Sequence, residues 1–361
     1  MNFFKKKKRV RVNEPSGVLL VSSGGLGDTV LLSIIINRFY SIAKPGEKIT
    51  LLLRSDSKKM SFLFQEEIFI YTVNYNEFRK KRNYRSKIEK ELYLLNFRVV
   101  VSTDFLRHPM LDEMIIKACD AQKTIGMEAR PWKKYNAELL LNKKFFDELY
   151  DSGPIHVNKI LRWCNFAEWI TSKKQKFPKL LIKKELMPKS NKYNKRTVIL
   201  NPFSAVKEKQ ISLEVILKIV DYIGDAYHFV IACAPSDIEK NTEYRNFNHK
   251  KNIEFDLSDF ELLAPRLRSA RLIISVDTAL MHLSVVLGAP TICIASAAYI
   301  NEIVPYPETI IPKNAEFVYK SMPCEGCLGN CILTLENNRF PCINRIPEEA
   351  IFKKIDTMLK C

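Results

Sequence analysis

Long apolar runs are missing from this chain. No window of its 361 residues reaches the roughly 18 consecutive apolar positions that a membrane-spanning helix needs. A secretory leader is missing too. The basic start "FFKKKKRVRV" meets no apolar stretch or small-residue cleavage site before the apolar residues that begin near Gly17. These two absences point to a cytoplasmic protein, and the lack of any repeat of solenoid length excludes a stacked-repeat architecture. Acidic residues are also in short supply: 57 Lys plus Arg face 40 Asp plus Glu, a formal net charge of +17. Such a field attracts anions, so nucleic acid, an anionic membrane and phosphorylated small molecules are the partner classes to weigh. The densest basic runs are at the N-terminus and in "FRKKRNYRSK", residues 78–87. For Lys5 to Arg11, beside Phe3 and Phe4, two readings stand: peripheral contact with the inner face of a membrane, or a solvated tail.

What is present suffices for two domains. The chain exceeds the size at which one core keeps growing, and 47% of it is hydrophobic. After a basic tail over 1–16, strand "GVLLVSS", helix "TVLLSIIINRFYSIA", turn "KPGEK" and strand "ITLLLR" make a βαβ unit, which "FRVVVSTDF" and "KTIGM" extend. Continuous apolar runs, in place of alternating ones, are expected of parallel strands buried on both faces. Residues 176–196 are basic and read as a linker between domains at 17–175 and 197–361. The second half repeats the rhythm with strands in "RTVILNPFS", "HFVIACAPS", "RLIISV" and "PTICIAS", and helices in "SLEVILKIVDYI", "LSDFELLAPRLRSA" and the residues after Asp277. The fold class is therefore α/β, with two doubly wound sheets and ligands expected at the carboxyl ends of the strands.

The stretch "SSGGLGDTV", residues 22–30, has the look of a dinucleotide loop but lacks its third glycine. Gly25 and Gly27 supply the first two, and Val30 stands where the third belongs. The second strand ends in Leu53 and Arg54, with Asp56 only beyond it, and no Gly-Lys-Ser/Thr follows to make a Walker loop. Asp28 at the junction of glycines and helix has two readings. It caps the helix, or it faces a ligand in the space the glycines open and serves as a general base.

The densest information is in "SVDTALMHLSVVLGAPT", residues 275–291. A strand ends at Asp277, a helix begins near Thr278, and its first amides with the helix dipole suit a pyrophosphate. His282, five residues after Asp277, either reaches the same phosphates or holds Asp277. In "NPFSAVKEKQIS" a loop after a strand carries Ser204, Lys207 and Lys209 toward the same strand-end surface, where either lysine would offset phosphate charge.

These residues resemble glycosyltransferase family 9, the ADP-heptose:lipopolysaccharide heptosyltransferases. The resemblance rests on "GGLGDTVLLS", "FRVVVSTDFLRHPML" and "KTIGM" in the first half. In the second it rests on "NPFSAVKEKQIS", "ACAPSD", "LRSARLIISVDTALMHLSVVLGAPTICIAS" and "CEGCLGNCILTLENNRFPCINRIPEEAI". It implies a GT-B fold, two Rossmann-like domains facing a central cleft, with acceptor on the N-terminal and donor on the C-terminal domain. It also implies an inverting displacement without a catalytic metal, in keeping with the lack of an Asp-x-Asp motif. By the resemblance Asp28 is the base that takes a proton from the acceptor hydroxyl, within an acceptor site that includes Gly25 and Gly27. Lys209 stabilises the departing ADP. Asp277, Thr278, Ala279 and His282 form the donor motif with Ser204, and Ser236 and Asp237 fall in the loop that meets the nucleoside. Charge assigns Arg107 and the segment Arg79 to Arg85 to anionic groups of the acceptor. Two departures stand out: Ala279 replaces the family's glycine, and Ile211 and Ser212 replace its tryptophan and proline.

Cys324, Cys327, Cys331 and Cys342 follow C-x2-C-x3-C-x10-C. Four thiols at short spacing are what a closed, structural zinc or iron site needs, and comparable patterns in related heptosyltransferases hold iron. A reduced thiol cluster or a disulfide are the other readings. The function expected is transfer of a heptose from ADP-heptose to a lipopolysaccharide core acceptor. Another nucleotide sugar or a protein hydroxyl acceptor is the alternative. A non-catalytic sugar-nucleotide module remains open. A nucleic-acid-binding protein would leave the paired loop motifs unexplained, so nucleic acid is not expected as a partner.

Overall fold

The computed structural model describes residues 11–189, 196–244 and 252–360. The chain divides into two compact units, 1–155 with 160–176, and 156–159 with 177–361. Each is built on a parallel six-stranded sheet. The first contains β1 (Val18–Val21), β2 (Ile49–Arg54), β3 (Ile68–Val73), β4 (Val99–Ser102), β5 (Lys123–Met127) and β6 (Glu148–Tyr150), in the order β3-β2-β1-β4-β5-β6. The second contains β7 (Thr197–Asn201), β8 (His228–Ala232), β9 (Ile253–Asp256), β10 (Leu272–Val276), β11 (Thr291–Ile294) and β12 (Ala315–Val318). Its order β9-β8-β7-β10-β11-β12 repeats the pattern of the first. Every residue of β1, β4, β7, β10 and β11 is buried, as a strand covered on both faces requires.

In this topology the chain leaves the first strand in one direction and crosses over to the other side after the third. Loops from neighbouring strands therefore splay apart at the carboxyl ends of β1 and β4, and again at those of β7 and β10. Val18 of β1 pairs with Ile49 on one side and Val99 on the other, and Ser275 of β10 pairs with Asn201 of β7. The glycine loop follows β1, the Lys209 loop follows β7 and Asp277 follows β10, so each lies at the switch point of its own sheet.

Several expectations need adjustment. Strands β3, β6, β9 and β12 are additional to those expected, and all four are sheet edges with partly exposed residues. The first helix, α1 (Leu26–Ile35), starts three residues early and passes into a 3-10 turn at Ile36–Ile42. The stretch expected to link the domains is exposed over most of its described length but packs at two positions. Leu180 and Ile182 are buried, and the Ile182 N–H donates to the Val286 carbonyl of the second unit. Residues 190–195 of that linker and 1–10 of the basic tail lie outside the described residues. Arg11 is not tail. Its guanidinium stacks 3.7 Å from the Tyr93 ring centroid and donates to the Cys119 carbonyl at 2.7 Å. No helix among the described residues is long and apolar enough to cross a membrane.

Candidate active sites on the two units

On the first unit, the glycine loop turns the chain from β1 into α1. Asp28 at the third helical position reaches back to accept the Gly25 N–H at 2.9 Å, which explains the early helix start. The capping reading of Asp28 is thus realised in the structure, on a side chain that is half-buried and not enclosed. Two glycines serve different ends. A Cβ on Gly24 would stand 2.5 Å from the Asp28 Cβ, so the carboxylate can lie back over the loop only if residue 24 has no side chain. A Cβ on Gly25 would meet nothing within 4 Å, which leaves open space on that side of the turn.

A second carboxylate anchors the entry to this loop. Asp104, buried just after β4, accepts the Ser23 N–H at 2.6 Å and the Ser23 hydroxyl at 3.0 Å. It spans the switch point between β1 and β4, and the sequence singled it out only as part of a strand. Close to it Asp112 is fully buried and accepts the His108 N–H at 2.5 Å. Burial raises the Asp112 carboxyl above the ordinary carboxylate range, against the pull of its hydrogen bonds. His108 packs at the edge of Tyr135 and Trp132, and burial together with the Arg79 and Lys134 charges holds its imidazole below the usual histidine value.

Arg107 is a correction. Only 1% of the side chain is exposed, and it forms a buried ion pair with Glu113 at 3.1 Å. It also donates to the backbone carbonyls of Met127 at 2.6 Å and Asp104 at 3.2 Å. A guanidinium enclosed in this way ties the ends of β4 and β5 together and is not presented to an acceptor. Arg79 and Arg82, by contrast, are exposed.

On the second unit, Lys209 ends a short 3-10 turn, Lys207–Lys209, and is 8% exposed despite its charge. Its ammonium lies 2.5 Å from Asp277 Oδ2 and 4.6 Å from the centre of the Tyr299 ring. Burial alone would lower the lysine pKa, but the charge and hydrogen bond of Asp277 outweigh it and the net shift is upward. Lys209 is therefore held as a cation. His282 is buried under Asp277, its Nε2 3.7 Å from Oδ1, while Nδ1 lies 2.6 Å from the Tyr306 hydroxyl. His282 thus lies beside Asp277, and the Tyr306 hydroxyl contacts its ring from the other side. Burial pushes the Tyr306 phenol well above its ordinary value, so it stays protonated.

Thr278 is the N-cap of the helix Ala279–Val286, whose residues are all buried, and the methyl of Ala279 is nearly enclosed there. The structure thus brings Lys209, Asp277, Thr278, Ala279 and His282 together. Ser204 lies in the same loop as Lys209, and its carbonyl accepts from Gln210 Nε2 at 2.8 Å. Ser236 and Asp237 follow β8, on the sheet's other side from β10. Asp237 caps its own short helix through the Ala234 N–H at 2.9 Å, and Ser236 is exposed.

The four cysteines of the 324–342 segment influence one another. Burial first, then the charge and hydrogen bond of Cys331, with Cys327 and Cys342 behind, raise the Cys324 thiol. No group of three or more His, Cys, Asp and Glu side chains is disposed to hold a metal ion among the described residues. The thiols stand as near neighbours, without converging on one point.

With this geometry established, comparisons with known proteins are informative. Residues 145–311 match the model of glycosyltransferase family 9 (heptosyltransferase). No curated protein sequence matches the chain. Among solved structures, a glycosyl transferase family 9 protein from Veillonella parvula DSM 2008 aligns with a TM-score of 0.69 at 15% identity, covering 96% of this chain and 98% of that one. The E. coli heptosyltransferase WaaC with ADP aligns with a TM-score of 0.65 at 15% identity, covering 95% and 98%. The iron-containing dodecameric glycosyltransferase TibC from enterotoxigenic E. coli H10407 aligns at 0.57 and 10% identity, covering 97% and 78%. At these identities the likeness establishes the fold, and the expected GT-B class of paired Rossmann-like domains holds.

Proposed function

Because the chain is a glycosyltransferase that carries a family 9 domain, we propose that it moves a heptose from ADP-heptose to a lipopolysaccharide inner-core acceptor, with inversion and without a catalytic metal. The acceptor hydroxyl oxygen attacks the anomeric carbon, the bond from that carbon to the diphosphate oxygen breaks, and ADP leaves. Asp28 takes the hydroxyl proton, a role worth about 10² to 10⁴ in rate. The open side of Gly25 leaves room for a sugar beside it. Lys209 and the amides at the start of the Ala279–Val286 helix receive the charge that develops on ADP. The observation that carries this reading is the buried Lys209–Asp277–His282 group at the switch point of the second sheet.

A buried lysine kept charged by one carboxylate is an electrostatic partner for a second anion. A diphosphate with more than one negative charge competes with Asp277 for the ammonium, as a neutral ligand does not. The ADP and the ADP-2-deoxy-2-fluoro heptose named for two structures of E. coli WaaC support the donor assignment. For the 324–342 segment we keep structural zinc or iron as the proposal, since four soft thiol ligands suit either metal and a fold relative is described as iron-containing. No step of the transfer uses that metal, and its test is elemental analysis of protein purified without chelator, where absence of both metals overturns it.

The test of the activity is nucleotide release from ADP-, UDP- and GDP-sugars in the presence of truncated core lipid, or of a peptide hydroxyl acceptor. Release with ADP-heptose and core lipid, unchanged by EDTA and falling about 10²- to 10⁴-fold in Asp28→Asn, is expected. Asparagine keeps an oxygen for the Gly25 N–H, so the fold is retained. Turnover only with a UDP-sugar overturns the donor, turnover only with peptide overturns the acceptor, and equal rates in the two proteins overturn the base.

A further inference from the structure

The cysteine-bearing segment does more in this structure than carry thiols. It grips both short turns that surround the Lys209 ammonium. On one side, the Phe340 N–H donates to the Glu208 carbonyl at 3.0 Å, and Arg339 Nε donates to the Gln210 carbonyl at 3.0 Å. These two bonds bracket Lys209 in sequence. On the other side, the Gly326 N–H donates to the Ala297 carbonyl and the Leu328 N–H to the Ala298 carbonyl, each at 2.8 Å. Ala297–Tyr299 is the 3-10 turn that ends in Tyr299, the ring beneath the ammonium.

The local chemistry explains how one segment holds both turns. Gly326, Leu328 and Gly329 have φ of +74°, +55° and +85°, a left-handed run that bends the loop back on itself. At Gly329 a Cβ would come 3.2 Å from the Tyr299 hydroxyl, so the loop lies directly over the phenol. Phe340, Cys342 and Ile343 are buried in the core of the second unit and anchor the segment's far end. Tyr299 itself is half-buried, with no other aromatic partner needed to explain its place.

We propose that Tyr299 and Arg339 are positioning residues for Lys209. The 324–342 segment acts as a clasp that sets the direction in which the ammonium meets an anionic phosphate. The ring face attracts the cation from one side while Asp277 holds it from another. Neither residue touches the reacting atoms. The inference that a phosphate is what Lys209 meets rests on the function proposed above; the positioning itself does not.

The test separates the two. Lysine acylation by a small anhydride, read at Lys209 by mass spectrometry without nucleotide, reports how firmly the ammonium is held. ADP affinity by calorimetry reports what that is for. In Tyr299→Leu the loss of a desolvated cation–π contact is expected to raise Lys209 acylation several-fold and to weaken ADP binding by about 5- to 30-fold. Tyr299→Phe, which keeps the ring, is expected to change neither by more than about twofold. Unchanged acylation in a folded Tyr299→Leu protein overturns the positioning role. Raised acylation in Tyr299→Leu, with ADP affinity unchanged in that protein and in Lys209→Ala, upholds the positioning and overturns the phosphate role. Should Tyr299→Leu not fold, Arg339→Met loosens the Lys207–Lys209 turn on the other side of the ammonium and is read the same way: raised acylation upholds the clasp, and wild-type acylation overturns it.

Discussion

Arg107 offers the sharpest contrast between a ligand-binding and a structural reading of one residue. Its side chain is enclosed with that of Glu113, and its remaining contacts are backbone carbonyls at the ends of β4 and β5. Glu113 is also engaged by Asn142 Nδ2 at 2.9 Å, which does not neutralise it. Arg107→Met therefore leaves a buried carboxylate without its counter-charge and two carbonyls without a donor. Breaking one side of such a pair costs about 3–5 kcal/mol. For a domain of about 150–250 residues that corresponds to a fall in Tm of roughly 6–20 °C. Calorimetry or urea unfolding followed by circular dichroism reads the loss. The double change Arg107→Met with Glu113→Leu removes both charges and is expected to recover most of it, because the penalty belongs to the unpaired ion and not to the missing pair. A folded Arg107→Met protein of wild-type stability with a raised acceptor KM would refute this reasoning and restore the acceptor assignment.

Other outcomes follow from the same coordinates. Hydrogen bonds from Arg98, aided by the Lys44 and Gly17 amides, lower the Glu47 carboxyl from 4.5 to about 2. Its folded pKa lies below the unfolded one, so its stabilisation is complete above about pH 4.5 and is lost as pH falls through about 2. Glu47→Gln should flatten the acid limb of a stability–pH curve over that window, and an unchanged limb would count against the pair. Burial raises the Cys164 thiol to about 11 and the Cys119 and Cys233 thiols to about 12. Alkylation of the native, chelator-treated protein near pH 8 should label Cys324, Cys327 and Cys331 before the buried Cys119, Cys164 and Cys233, which react only on unfolding; peptide mapping distinguishes the sets. Tyr306→Phe removes the hydroxyl that shares a hydrogen bond with the buried His282 Nδ1 and should cost about 1–3 kcal/mol in urea unfolding.

Much of the architecture was legible because parallel strands buried on both faces write themselves as unbroken apolar runs. "GVLLVSS", "ITLLLR", "RTVILN" and "RLIISV" are all strands in the structure. The strands that were not legible, β3, β6, β9 and β12, sit at sheet edges, where exposure admits polar residues and blurs the pattern. The same logic divides the site. Asp277, Thr278 and His282 were readable because one strand and one helix start set their spacing. Tyr299, Tyr306 and Arg339 were not, because they reach the group from separate loops, Arg339 across 129 positions and Tyr306 across 24, and nothing local marks that approach.

The sequence by itself determined where polarity and glycine interrupt apolar runs, and hence two α/β units with candidate site loops at strand ends. Only the tertiary structure decided what each charged side chain does there. Arg107 and Lys209 are both basic residues in loops after strands, and composition cannot separate them. Enclosure by Glu113 and backbone carbonyls makes one a structural tie. The other meets a carboxylate and an aromatic face at a sheet switch point, which leaves a cation at the edge of a prospective anion site. The difference arises because the strength and availability of a charge depend on the dielectric and partners around it, and those come from residues distant in the chain.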